Sequence, residues 1–305
     1  MCKNWHVGII ERSFSDKLNT FHIFFFSDIL KKGGSAADAA IATLFCEGIA
    51  CPQSMGLGGG FVLTIYTKST GKAESLIARD VAPIASNNSM FVNDNLVTGP
   101  LAITVPGELK GYWELHKKYG VLPWAELVQP SIELCHKGHL ITNYLSKVLL
   151  NHRYVMKSEP SMAEIFINPK TGDVWKEGDR VKRLKLAETL EIIAKEGADT
   201  LYTNGTIAQR LMPELKKLGT IITLEDFLQY KVRWRDVDVA KLKRGYTMYA
   251  APFPASGSLL TLIMNILNGY TPVISMDYYH YIVESFKFAY AERSNLGDES
   301  SLDRV

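Results

Sequence analysis

The sequence predicts a mixed α and β fold class, and three observations carry that. An Ala-rich helix runs into a glycine turn at 54–60. The turn leads into a hairpin of strong β-formers, and helical and strand patterns then alternate to the end of the 305 residues. No repeat, low-complexity tract or composition shift marks a linker. A chain of this length makes one large domain or two ordinary ones and needs no disulfide staples.

The elements follow in order. FHIFFF at 21–26 is the most hydrophobic patch, but far shorter than the roughly 20 residues of a membrane helix. It lacks a cleavage site after a basic start, so it reads as a buried strand or helix edge, and no targeting segment is visible. Ser35 N-caps a buried helix over 35–50, with Asp38 closing a capping box. FVLTIY is a strand, KSTGK a turn and 73–79 the returning strand. Pro106 opens a helix to about Tyr119. Pro123 opens another, interrupted by Pro130 and ending at Gly138; a further helix covers 142–157. KTGD at 170–173 is a hairpin turn, and helices follow at 184–195, 205–218 and 223–230. VRWRDVDVA alternates, giving one half-exposed strand over 232–240 with 246–251 as its neighbour. An apolar helix at 259–267 and a last helix at 278–293 complete the chain, the last with aromatics on every face, as for a helix covered on several sides or one facing a missing partner.

Composition excludes some functions. Hydrophobic residues make up 47% and charged residues 22%, with a formal charge of +2. The short basic run Lys241-Leu-Lys-Arg244 reads as a solvated strand end and not as a nucleic-acid surface. Four cysteines, Cys2, Cys46, Cys51 and Cys135, are too few and scattered for a disulfide scaffold; Cys46 and Cys51 read as buried thiols, with a bridge between them the alternative.

The glycine run SMGLGGG raises the question of a phosphate loop. Dinucleotide sites place glycines between a strand and a helix N-terminus, whose free amides hold the phosphate. Here the order is helix, glycines, strand, and a helix C-terminus repels anions. No Gly-Lys-Ser/Thr ending is present either, so no nucleotide cofactor is expected. The glycines instead serve close approach. If Tyr66 pairs with Lys72 across the hairpin, Arg79 pairs near Gly59. An Arg fork grips a carboxylate bidentately, which makes Arg79 a candidate substrate anchor; the structural reading pairs it with Asp80 or another acid.

Other constellations carry less. Cys135, His136 and His139 have loose metal spacing but no completing cluster, so they read as a solvated helix terminus with no metal. PASGS at 254–258 is not a serine-hydrolase elbow, and Ser256 reads as a helix N-cap.

Read together, Gly33-Gly-Ser-Ala-Ala-Asp-Ala-Ala40, Ser54-Met-Gly-Leu-Gly-Gly-Gly60 and Ala78-Arg-Asp-Val-Ala-Pro83 resemble the γ-glutamyltransferase (glutathione hydrolase) family. Val105-Pro-Gly-Glu108, Leu122-Pro-Trp124, Tyr202-Thr-Asn-Gly205, Thr223-Leu-Glu-Asp226, Phe288-Ala-Tyr-Ala-Glu-Arg293 and Gly297-Asp298 continue in the family's order. The resemblance covers 28–305 and leaves 1–27 as a divergent segment. It implies an N-terminal-nucleophile hydrolase with an αββα sandwich, here its incomplete, helix-rich large-chain half. It implies cleavage of the γ-glutamyl amide of glutathione and transfer of the glutamyl group to water or an amine. The nucleophile is the N-terminal Thr of a small chain released by self-cleavage, with its own amine as base. By the same resemblance Arg79 grips the α-carboxylate of the glutamyl group, and the setting is the extracellular face of the plasma membrane.

The departures bear on activity. The chain resembles the large chain only. No Thr-Thr-His or Thr-Ala-His start of a small chain occurs; Thr20-Phe-His22 is the nearest string and lies at the wrong end. No catalytic residue is therefore assigned, and 1–305 alone is expected to be inactive, as an altered, truncated or spliced gene product. The partners expected are γ-glutamyl compounds and a small catalytic chain made elsewhere. The alternative is a non-catalytic binding or regulatory protein built from this half. The family's Cys before Gly-Gly is missing, which leaves Cys46 without that disulfide partner. Asn87-Asn-Ser89 and Asn204-Gly-Thr206 are candidate N-glycosylation sites if the chain is secreted.

Overall fold

The structure, a computed structural model, describes residues 26–87, 89–91, 99–270 and 273–297. The expected character of 1–27 and of the FHIFFF patch thus lies outside the described residues, apart from a helical start at 26–31. The described chain falls into two compact units. The first comprises Met1–Gly59 and Val81–Tyr230, the second Gly60–Asp80 and Lys231–Val305.

The first unit is built around the helix Ala36–Ala50. Ala39, Ile41, Ala42 and Cys46 are fully buried, and the small side chains let neighbours approach closely. Its capping box forms as the sequence predicts: Ser35 Oγ accepts from the Asp38 amide at 3.0 Å and Asp38 Oδ2 from the Ser35 amide at 2.8 Å. The same Asp38 oxygen also accepts from the amides of Val121 and Leu122, tying the helix start to the loop before Trp124. Phe45 meets Tyr112 and Trp124 edge-on at 5.1 and 5.6 Å between centroids. Glu108–Tyr119, Trp124–Lys137 and Leu184–Glu196 complete this layer. A smaller cluster of Ile141, Leu145, Leu149, Val174 and Val181 fills the space under Asn143–Asn151.

Several expected boundaries shift. Pro106 does not open its helix: Gly107 is the cap and Glu108 the first residue, because the amides of Gly107 and Glu108 turn to the carbonyl of Gly59. Pro130 does not interrupt Trp124–Lys137. It forfeits one backbone bond, but Leu127, Val128, Ser131 and Leu134 are buried around it and keep the helix whole. The helix expected over 142–157 is two, Asn143–Asn151 and Arg153–Ser158, separated at His152, and Pro160–Phe166 follows. KTGD does close a hairpin, with Asn168 opposite Asp173.

The second unit holds a three-stranded antiparallel sheet in the order Phe61–Thr67, Lys72–Ala78, Arg233–Asp236. The strand expected over 232–240 breaks at Val237. Its first part joins this sheet, and its second part, Asp238–Lys241, pairs with Thr247–Ala250. A period-two pattern reports which face is apolar, not which partner a strand takes, so the change of sheet left no trace in the sequence. Gly257–Leu267 and Met276–Arg293 pack on one another. Ser256 occupies the cap position of the former, but its side chain makes no capping bond there.

Candidate functional site

Arg79 is positioned by the hairpin. Tyr66 pairs with Ala73 and Phe61 with Ala78, one residue from the register expected. Continued by one step, that register sets Gly60, not Gly59, opposite Arg79. The fit there is tight. A Cβ on Gly60 would lie 2.6 Å from the Ala78 carbonyl oxygen, 2.7 Å from the Asp80 nitrogen and 3.0 Å from the Arg79 Cα, so only glycine lets the two strands close. Arg79 itself is exposed, just past the end of Lys72–Ala78, whose last four residues are buried.

The glycine loop at 54–59 belongs to the first unit, where a buried carboxylate holds it. Glu108 is 4% exposed. It accepts a hydrogen bond from the Tyr112 hydroxyl and another from the Gly56 amide. Burial raises its pKa above the ordinary carboxylate value, and those two donors only partly offset it. The loop's far end is pinned as well: the Gly59 carbonyl accepts from the Gly107 amide at 2.9 Å and the Glu108 amide at 3.1 Å. Behind it the helix approaches so closely that a Cβ on Gly48 would sit 3.3 Å from the Gly56 Cα. The loop is thus clasped from both ends by the residues of the Val105-Pro-Gly-Glu108 motif. No local pattern assigns Glu108 a role, because about fifty residues separate it from the loop it contacts.

Two more motif residues serve the same region. The Tyr202 hydroxyl donates to the Pro106 carbonyl at 2.7 Å. Asp226 closes a capping box with Thr223 and accepts from the Ile84 amide at 2.6 Å. Burial alone would raise the Asp226 pKa, but the amides of Ile84 and Thr223 and the Thr223 hydroxyl hold it below the usual value. Val81 and Val105 exchange two backbone bonds, at 3.1 and 2.9 Å.

The remaining candidates scatter. Asn87 and Asn204 are both exposed, in turns of the first unit. Cys46, Cys51 and Cys135 are thiols, and Cys46 lies 3.1 Å from Ser131 Oγ. The solvated reading of 135–139 is corrected: Cys135 and His139 are buried, because the chain turns inward at Gly138 to pair His139 with Val181, and of the three candidates His136 alone faces solvent. His139 is held down to about 4, first by burial and then by Arg183 and Arg180. Among the described residues no three His, Cys, Asp or Glu side chains gather as a metal site. No helix among them is long and apolar enough to cross a membrane.

This helix, glycine turn and hairpin are those of the N-terminal-nucleophile hydrolases, the αββα class, of which these residues form a helix-rich part. The crystal structure of Helicobacter pylori gamma-glutamyltranspeptidase superposes with a TM-score of 0.88 at 29% identity, covering 99% of this chain and 88% of that one. That of the Pseudomonas nitroreducens enzyme complexed with L-DON superposes at 0.83, also at 29% identity, over 95% and 88% of the two chains. Residues 26–305 match the gamma-glutamyltranspeptidase family model, and the chain belongs to that family. Scoloptoxin SSD14 of Scolopendra dehaani is 41% identical over 89% of this chain and 48% of its own length. Glutathione hydrolase 5 proenzyme of Mus musculus is 39% identical over 90% and 49%. The chain thus spans about half the length of the curated relatives it matches.

Proposed function

We propose that residues 1–305 form the large-chain portion of a glutathione hydrolase, gripping the γ-glutamyl group while a small chain supplies the nucleophile. The observation that carries this is Arg79, exposed at the end of a strand whose register a glycine enforces, in a chain that belongs to this family. The guanidinium takes the α-carboxylate bidentately. The Oγ of the small chain's N-terminal Thr attacks the γ-carbonyl carbon, passing its proton to its own amine. The amide C–N bond breaks, and the leaving amine departs with that proton. Water or an acceptor amine then attacks the glutamyl ester and restores the hydroxyl. Apolar side chains left exposed on Met276–Arg293, among them Tyr279, Phe286 and Phe288, support a second chain. The setting proposed is the extracellular face of the plasma membrane, where the exposed Asn87 and Asn204 would carry glycans.

The test is intact mass and peptide mapping of the native protein from its source, with a γ-glutamyl anilide assay alongside. The expected result is a second chain beginning at Thr, turnover in the two-chain form and none from purified 1–305. Replacing Arg79 by Gln then lowers kcat/KM about 10- to 100-fold, the loss of a charge-assisted bond worth roughly 1.5–3 kcal/mol. A single inactive species ending at Val305 would overturn the enzymatic reading in favour of the non-catalytic one. Turnover by 1–305 alone would overturn the division of labour.

A further inference from the structure

A second cation of the chain lines a partly open space that the γ-glutamyl reading does not use. Between Ala36–Ala50, the glycine loop and Leu184–Glu196, wholly within the first unit, lies a cavity of about 290 Å³. Leu44, Ile49, Leu57, Leu186 and Leu190 give it an apolar side, and polar atoms make up nearly as much of the wall. Two ionisable side chains line it. Glu108 is already engaged by the Tyr112 hydroxyl and the Gly56 amide. Arg183 differs: it is half-buried, and among the described residues its guanidinium forms no ion pair with any carboxylate.

A guanidinium withdrawn from water costs free energy unless an anion compensates it. Burial lowers the pKa of Arg183 itself, with the Cys135 thiol the main counter-effect. Its field, with that of Arg180, also helps keep the buried His139 neutral. Arg183 is moreover the N-cap residue of Leu184–Glu196, a 13-residue helix whose start no side chain caps. An anion at the guanidinium would lie at the positive end of that helix. The cavity's size falls just under the roughly 300 Å³ where sites for drug-sized ligands begin, so its occupant is small.

We propose that this cavity binds a short-chain monocarboxylate, its carboxylate on Arg183 and its tail among Leu44, Leu186 and Leu190. Arg79 is not among the residues that line it, and the proposal does not rest on γ-glutamyl chemistry.

The test is isothermal titration of the full chain with hexanoate and, in parallel, 1-hexanol. Saturable binding of hexanoate at least tenfold tighter than hexanol is expected. Arg183→Met, which keeps the apolar stem, should weaken hexanoate tenfold or more and leave hexanol unchanged. Leu186→Trp, which fills the cavity, should abolish both, and Arg79→Gln should change neither. Absence of saturable binding, equal affinity for acid and alcohol, or loss in Arg79→Gln in place of Arg183→Met would each overturn the proposal. The acid-versus-alcohol comparison needs no variant, so misfolding of either cavity mutant leaves a decisive result.

Discussion

The two units bury their apolar residues very differently. The first has a core in which Ile41, Leu109 and Leu127 are at most 1% exposed, a smaller cluster around Leu145, and hydrogen bonds accepted by the carboxylates of Asp38, Glu108 and Asp226. The second buries Leu76, Ile77 and four alanines or near-alanine-sized positions, Ala78, Ala240, Ala250 and Ala289, while Ile274, Met276 and Phe288 stay more than 60% exposed. Gly257–Leu267, an almost entirely apolar helix, buries none of its residues fully. One unit is organised by its own interior. The other presents apolar surface of the kind that marks an interaction face.

The sharpest way to break that contrast is to compare truncations. Leu127→Ala removes a fully buried side chain from the first unit and should cost about 2–5 kcal/mol in urea denaturation. A loss under 1 kcal/mol would mean that this core does not organise the unit. Acid should act on the same unit through His139. Its pKa is depressed to about 4 from an ordinary 6.5, so the stability it contributes is present above pH 6.5 and lost as pH falls towards 4. A depression of that size corresponds to about 3 kcal/mol, and His139→Leu should flatten that part of the stability profile. An unchanged slope in the variant would show that another group governs it. Gly60→Ala, at the start of the hairpin, should cost about 1–3 kcal/mol because the added carbon meets backbone atoms that cannot swing aside. Phe288→Ser should fall within about 0.5 kcal/mol, since its ring is 65% exposed. A larger cost there would mean that the second unit is packed by itself after all.

What the sequence revealed follows from how far each cause lies along the chain. The helix over 36–50, its capping box and the hairpin were legible because their signals sit within a few residues of one another. Arg79 was found beside the glycines to within one residue, since a hairpin's register is set by a local turn. Glu108 was quoted only as part of a motif. Its work depends on Gly56 and Gly59, which no spacing rule connects to it. Cys135 and His139 looked like an exposed helix end because Gly138 was read as a stop, whereas the chain there enters a buried two-residue strand. The unbroken Trp124–Lys137 helix and the switch at Val237 were settled by packing and by strand partners, which local propensity does not encode.

The backbone bonds of the 105–108 segment have a consequence for how the hairpin is fixed. The chain leaves the first unit after Gly59 and re-enters it at Val81. Gly59 is tied to Gly107 and Glu108, and Val81 is tied to Val105. Both roots of the intervening stretch are therefore stitched to one run of four residues. The entropy of closing that loop grows only slowly with its length. The exposed tip at 68–71 is then free to vary in length through evolution, while the alignment that brings Arg79 opposite Gly60 is dictated from below.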